Sequence, residues 1–232
     1  MLSVECKMFC VLHKKYTQRS TPNKNTLNKE MKNLLFIALA SFFTNISQAK
    51  DIREIWLSMP DSLISYLDKS KRIEMVDYID MKVKADVKNA LEGTSVMDTL
   101  TNEFLQVTLN EACTLQMRTL PSENGDTIFC LSKTLRGPLA ESEVSIYNQD
   151  WQKIKSLSFN AQELITKPDT MSQAAFDDLR PLFEVSLVEA QLSIDKPTLT
   201  ISVSPINLSK EETEKVKPLL SSRTLLWNGK EF

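Results

Sequence analysis

Residues 104–148 read FLQVTLNEACTLQMRTLPSENGDTIFCLSKTLRGPLAESEVSIYN. Apolar and polar side chains alternate there in four runs, 104–109, 113–120, 127–135 and 142–148. Turn formers separate the runs: Asn110-Glu111, Glu123-Asn124-Gly125-Asp126 and Gly137-Pro138. A period of two sends successive side chains to opposite faces of a strand, so short runs at this spacing predict an antiparallel meander. A fifth run at 151–157, with Trp151, Ile154 and Leu157 as its apolar residues, follows the turn at Asn148-Gln149-Asp150 and extends it.

On the N-terminal side the period is helical across 52–91. Leu63, Ile64 and Leu67 follow the start signal Pro60-Asp61, and Ile73, Val76, Ile79 and Val83 continue the stripe to an end at Gly93. The pattern fits two helices broken near 68–70. On the C-terminal side, 158–171 is a connector containing Pro168-Asp169, and a short helix over 172–180 is opened by a capping box of Thr170 with Gln173. Runs at 184–193 and 198–204 flank Asp195-Lys196-Pro197 as a hairpin, Ser209 with Glu212 caps a further helix that ends near Ser221, and 223–227 is a closing strand before the turn at Asn228-Gly229. Strands grouped apart from helices predict an α+β fold: N-terminal helices packed on an antiparallel β-meander, followed by a smaller helix/hairpin/helix/strand part. Residues 50–232 then form a single unit, or two lobes dividing near 158–171.

Residues 31–49 have the form of a signal peptide. Met31-Lys32-Asn33 is a short positive start, 34–43 is an apolar core, and Ser47-Gln48-Ala49 is a small-x-small cleavage site. The apolar run is too short to span a bilayer and polar residues follow it directly, so a transmembrane anchor is the weaker reading. Residues 1–30, with Cys6, Cys10, Lys14, Lys15 and Arg19 ahead of the polar run 20–29, do not resemble part of a fold. They read as an extension upstream of a start at Met31, or as a basic disordered arm. Cleavage after Ala49 leaves 183 residues with 21 basic and 28 acidic side chains. Basic residues scattered among a net acidic excess predict no nucleic-acid partner, because phosphate backbones select clustered Lys and Arg, and anionic lipid is disfavoured for the same reason.

The processed chain keeps Cys113 and Cys130. With Asn124-Gly125 as a two-residue hairpin tip and Glu123 opposite Asp126, Cys130 faces Thr119, six residues along the strand from Cys113. At about 3.4 Å per residue the separation is roughly 20 Å, far beyond disulfide reach, which predicts two buried free thiols. No cysteine follows the cleavage site closely enough to carry a lipid anchor.

Most catalytic chemistries fail on composition. His13 is the only histidine and precedes the cleavage site, so serine–histidine and cysteine–histidine pairs and zinc sets are absent from the processed chain. Ser193 and Lys196 have the Ser-x-x-Lys spacing, but Pro197 follows in a hairpin where a helix is required, and no partner motif accompanies it. Glycines at 93, 125, 137 and 229 form no phosphate-cradling cluster. Residues 123–126 lack the length and bidentate glutamate of a calcium loop. Paired carboxylates remain: Glu74, Asp77 and Asp80 share a helix face, and Asp177-Asp178 lie on another helix. A solvated face opposite Ile73, Val76 and Ile79 is the preferred reading of the first group. Trp56, Trp151 and Trp227 sit at the edges of apolar runs, as packing residues rather than sugar platforms, and Met75, Met81, Met97 and Met117 read as core fillers. Glu211, Glu212 and Glu214 ahead of Lys215 and Lys217 complement a helix macrodipole. No catalytic, cofactor-binding or metal-binding residue is assigned.

Ile55-Trp56, Met59-Pro60-Asp61-Ser62-Leu63, NALEGTS at 89–95, Leu120-Pro121 and EVSIYNQDW at 143–151 resemble a domain-of-unknown-function family of exported Bacteroidetes proteins across nearly all of the processed chain. The resemblance implies secretion and one family-wide unit, and supplies no catalytic residue. Together these readings predict a periplasmic or secreted, non-catalytic binding or assembly protein of the cell envelope with a protein partner. An envelope glycan hydrolase using two carboxylates is the alternative.

Overall fold

A computed structural model describes residues 50–122, 125 and 127–232. Residues 31–49, whose sequence predicts a signal peptide, residues 1–30, and residues 123, 124 and 126 lie outside the described residues. Helix α1 (Ile52–Leu57) opens on a capping box between Asp51 and Glu54, a 3₁₀ turn follows at Asp61–Leu63, and α2 (Lys69–Asp80) begins where Asp68 accepts a hydrogen bond from Lys71 N–H. Seven strands then form an antiparallel meander in sequence order: β1 (Asp86–Lys88), β2 (Thr94–Leu100), β3 (Phe104–Asn110), β4 (Cys113–Leu120), β5 (Ile128–Arg136), β6 (Ala140–Asn148) and β7 (Lys153–Leu157). After α3 (Ala161–Leu164) and α4 (Gln173–Leu179), a second sheet is built from β8 (Ser186–Leu192), β9 (Thr198–Pro205) and β10 (Arg223–Leu226), with α5 (Lys210–Val216) between β9 and β10.

The fold is α+β, with the meander covered on both faces. Ile52, Ile55, Trp56, Met75 and Val76 from the helices meet Met97, Leu105, Cys113, Leu115 and Met117 on one face. Leu120, Cys130, Val144 and Ile146 on the other face meet Ala190, Leu192, Leu199 and Ile201 of the small sheet. Two-sided burial is why strands in the middle of the meander carry apolar residues at positions of both parities. Cys113 and Cys130 belong to opposite faces, and both are free and buried.

The junction between the sheets satisfies an exposed strand edge with side chains. β8 is the outer strand of its sheet. Ser132 Oγ donates to Ala190 O at 2.7 Å, Ala190 N donates to Ser142 Oγ at 2.9 Å, and Leu192 N donates to Gln116 Oε1 at 2.9 Å. Backbone groups that would be orphaned inside the interface are thereby paired. Arg118, 2% exposed, fixes the turn of the β8–β9 hairpin: it donates to Ser193 O at 2.9 Å and Ile194 O at 2.5 Å, and meets Glu103 at 3.0 Å.

Several expectations are corrected. The helical run stops at Asp80, not Leu91, and 86–88 and 94–100 are the first two strands. The turn between them is organised by Asn89, whose Oδ1 accepts from Leu91 N–H and Gly93 N–H at 3.0 and 3.1 Å. A Cβ on Gly93 would lie 3.3 Å from Asn89 Nδ2, so the glycine serves a close approach rather than a helix stop. Cys130 faces Arg118 instead of Thr119, one residue from the predicted register. The cap of α4 is Ser172, accepting from Ala175 N–H, in place of Thr170. Ile73 and Met81 are exposed, because the buried face of α2 is Arg72, Met75 and Val76. The Ser209–Glu212 capping box forms as expected.

Candidate functional site

Of the carboxylates that composition left open, Asp80 and Glu74 are engaged by basic neighbours and Asp77 is exposed on the same helix. Asp80 is held by Arg53 through two hydrogen bonds of 2.7 Å, which keep its carboxyl below the usual aspartate range. Glu74 accepts from Lys71 at 2.8 Å and from Tyr78 Oη at 2.7 Å, and these bonds likewise lower its pKa. Both groups are fixed as ions at the surface, the opposite of what a general acid needs. Asp177 accepts from Gln173 at 2.9 Å, and Asp177 and Asp178 are exposed on α4. Among the described residues no cluster of three or more His, Cys, Asp or Glu is arranged to hold a metal ion. Ser193 and Lys196 lie in the β8–β9 turn, so the helical geometry of their motif is not formed. All three tryptophans are buried, with Trp151 Nε1 donating to Ile55 O and Trp227 Nε1 to Pro121 O.

A recess of about 200 Å³ opens where the helix layer ends above the meander. One wall is the segment 59–64, contributing Met59, Leu63 and Ile64; the floor is Leu115 and Leu131; the far side is Lys133, Glu143, Tyr147 and Lys153. The pleat explains the lining. Leu115, Lys133 and Glu143 are directly opposite one another across β4, β5 and β6, and Tyr147 pairs with Lys153 of β7 in the same way. Lys153 Nζ lies 3.6 Å from Glu143 Oε1 and 5.7 Å from the centre of the Tyr147 ring. The recess thus has an apolar floor and a cationic rim carrying one carboxylate.

Arg72 holds the wall in place. Its side chain is wholly buried under the segment 59–64, donating to Met59 O at 2.6 Å and to Leu67 O at 2.9 Å. It also meets the exposed Asp61 carboxylate at 2.9 Å, and its guanidinium lies 5.9 Å from the centre of the Trp56 ring. Residues 60–63 are exposed, while Met59 and Leu67 on either side of them are buried, and one planar, five-donor cation answers the carbonyls of both. The recess therefore exists as a formed feature of the fold. A larger depression of about 590 Å³ beside Arg118 is bounded by the 121–127 turn, of which residues 123, 124 and 126 lie outside the described residues.

The thiols are placed for packing. Burial pushes the Cys113 thiol up, opposed by the nearby Lys133 ammonium, and burial alone pushes the Cys130 thiol up further. A thiol held protonated is a poor nucleophile.

A family model described as a protein of unknown function, DUF3256, matches residues 44–232. The chain belongs to the DUF3256 family. The match spans both sheets and the 59–64 wall. Among solved structures, a domain of an uncharacterised protein from Porphyromonas gingivalis W83 is similar at 21% identity and a TM-score of 0.64, covering 79% of this chain and 98% of that one. That likeness establishes a shared fold with a protein from the Bacteroidetes. No curated protein matches. Among the described residues no helix is long and apolar enough to cross a membrane.

Proposed function

We propose that this DUF3256 protein is exported through residues 31–49 and acts as a non-catalytic binding or assembly protein of the cell envelope, using the recess at 59–64 as its binding surface. The observation that carries the reading is the wall itself: a buried arginine donates to Met59 O and Leu67 O, on either side of the exposed segment 60–63 that stands beside an apolar floor and a charged rim. Such preorganisation lowers the ordering cost of association. The ion-paired carboxylates of α2 favour this reading over glycan hydrolysis, which needs one acid kept protonated near an ionised partner.

The test is cross-linked capture from the native envelope fraction, with the C-terminally tagged full chain as bait and a Leu63→Asp bait beside it. Leu63 is 38% exposed, so the substitution changes the recess without opening the core. A saturable partner recovered by the native bait and lost with Leu63→Asp is the expected result. Equal recovery by both baits would contradict the proposed surface.

A further inference from the structure

The recess at 59–64 has one cation left over. Lys133 of β5 stands between Leu115 of β4 and Glu143 of β6, each directly opposite it in register. Glu143 is drawn the other way, to Lys153 at 3.6 Å, and among the described residues the Lys133 ammonium has no ion pair or hydrogen bond. The Glu143–Lys153 pair is neutral as a unit, so Lys133 sets the sign of the rim. Its side chain is partly buried, and its ammonium is near enough to the floor to oppose the upward shift that burial gives the Cys113 thiol, two residues from Leu115 on β4. A lysine placed this way lays its stem on apolar surface and holds its charge at the edge.

The space beside it is small. A volume of about 200 Å³ is less than the roughly 300–1,000 Å³ that a drug-sized ligand occupies and close to the roughly 150 Å³ cavity that accepts one benzene. It holds one apolar side chain. Neighbouring strands are about 4.8 Å apart, so a group resting on Leu115 and an anion meeting Lys133 have to be close together in the ligand. Only the last residue of a protein chain carries an apolar side chain and a carboxylate on the same Cα. An internal acidic residue needs a second side chain, which in an extended segment points to the opposite face.

We infer that the recess takes the C-terminal residue of a partner protein, with its apolar side chain on Leu115 and Leu131 and its terminal carboxylate on the Lys133 ammonium. Charge complementarity of this kind supplies specificity, while the apolar floor supplies the burial. The inference rests on the binding role proposed above and gives that role a partner chemistry.

The probes are acetyl-Gly-Gly-Leu with a free carboxylate, the same peptide ended as the amide, and isovalerate, titrated into the full chain and followed by amide shifts in NMR. The free-acid peptide is expected to shift residues 63–64, 115, 131 and 133 and to bind at least tenfold more tightly than the amide. Lys133→Gln, its fold checked by unchanged thermal unfolding, is expected to abolish that difference. Equal binding of acid and amide, a preference that survives Lys133→Gln, or shifts confined to other parts of the surface would overturn the inference. Isovalerate binding as tightly as the acid peptide would also overturn it, by making a free carboxylic acid the occupant. If the acid peptide shows no preference while Leu63→Asp still loses the captured partner, the terminal carboxylate is refuted and the binding role stands.

Discussion

Replacing Arg72 by methionine removes the guanidinium while keeping most of the stem that fills the space under Trp56. Two carbonyl acceptors, Met59 O and Leu67 O, lose donors inside the protein. An unsatisfied buried group costs about 1–3 kcal/mol, and the exposed partner, Asp61 at 60%, adds less than about 1 kcal/mol. The expected loss is about 3–5 kcal/mol, a large share of a typical stability of about 5–15 kcal/mol. For a domain of this size it corresponds to a fall in Tm of roughly 10–15 °C. Urea unfolding followed by tryptophan emission measures it, since Trp56, Trp151 and Trp227 all pass from buried to solvated. Asp61→Asn is the control and should cost less than about 1 kcal/mol. If Arg72→Met is within about 1 kcal/mol of the native protein, or if Asp61→Asn costs as much, then the buried cation does not fix the wall.

Other perturbations separate the layers of the fold. Ser132→Ala, at the sheet junction, leaves Ala190 O without its 2.7 Å donor and should cost about 1–2 kcal/mol by urea unfolding, with the α1–α2 layer unchanged in hydrogen exchange. Ser209→Ala removes the α5 cap and should cost about 1 kcal/mol, with exchange accelerated first in 210–216. Cys113 and Cys130 should both count as free thiols in denatured, non-reduced protein and resist alkylation in the native state; one bridged pair by mass would contradict their placement on opposite faces. The Asp80 carboxyl is depressed below its unfolded value near 3.8, so its contribution to stability is present above that pH and is lost as pH falls through the lower folded value. Asp80→Asn should therefore flatten the acid limb of a stability-against-pH curve; an unchanged limb would show that the pair with Arg53 contributes nothing in solution.

The strands β3 to β7 and the β8–β9 hairpin are legible because each is a short run of period two between strong turn formers, a signal contained within eight or nine residues. The first two strands are not. Met81 and Val83 continue the helical count of α2 and hide its end, while β1 has three residues, too few to show alternation. The register of β4 on β5 is decided in the 121–127 turn, where one residue of difference moves Cys130 from Thr119 to Arg118. The two arginines that organise the interior leave no local mark, since Arg72 on a helix and Arg118 on an alternating strand look like surface residues. Their partners lie at Met59, Leu67, Ser193 and Ile194. The recess is invisible for the same reason: Leu63, Leu131 and Lys153 come together only when the helix layer is laid on the meander. Lys133 and Glu143 could have been found as cross-strand neighbours from the Gly137-Pro138 turn, although nothing in their spacing says that a wall stands above them.

The most direct test places a photo-crosslinking amino acid at Leu63, in the recess, and separately at Leu220, an exposed residue that follows the C-terminal helix, in the full chain expressed in its native cells. A discrete protein adduct from position 63 and none from position 220 is the predicted result. Adducts of equal yield at both positions, or none at 63 in cells where the protein is exported, would contradict the claim that the recess at 59–64 is where this protein binds.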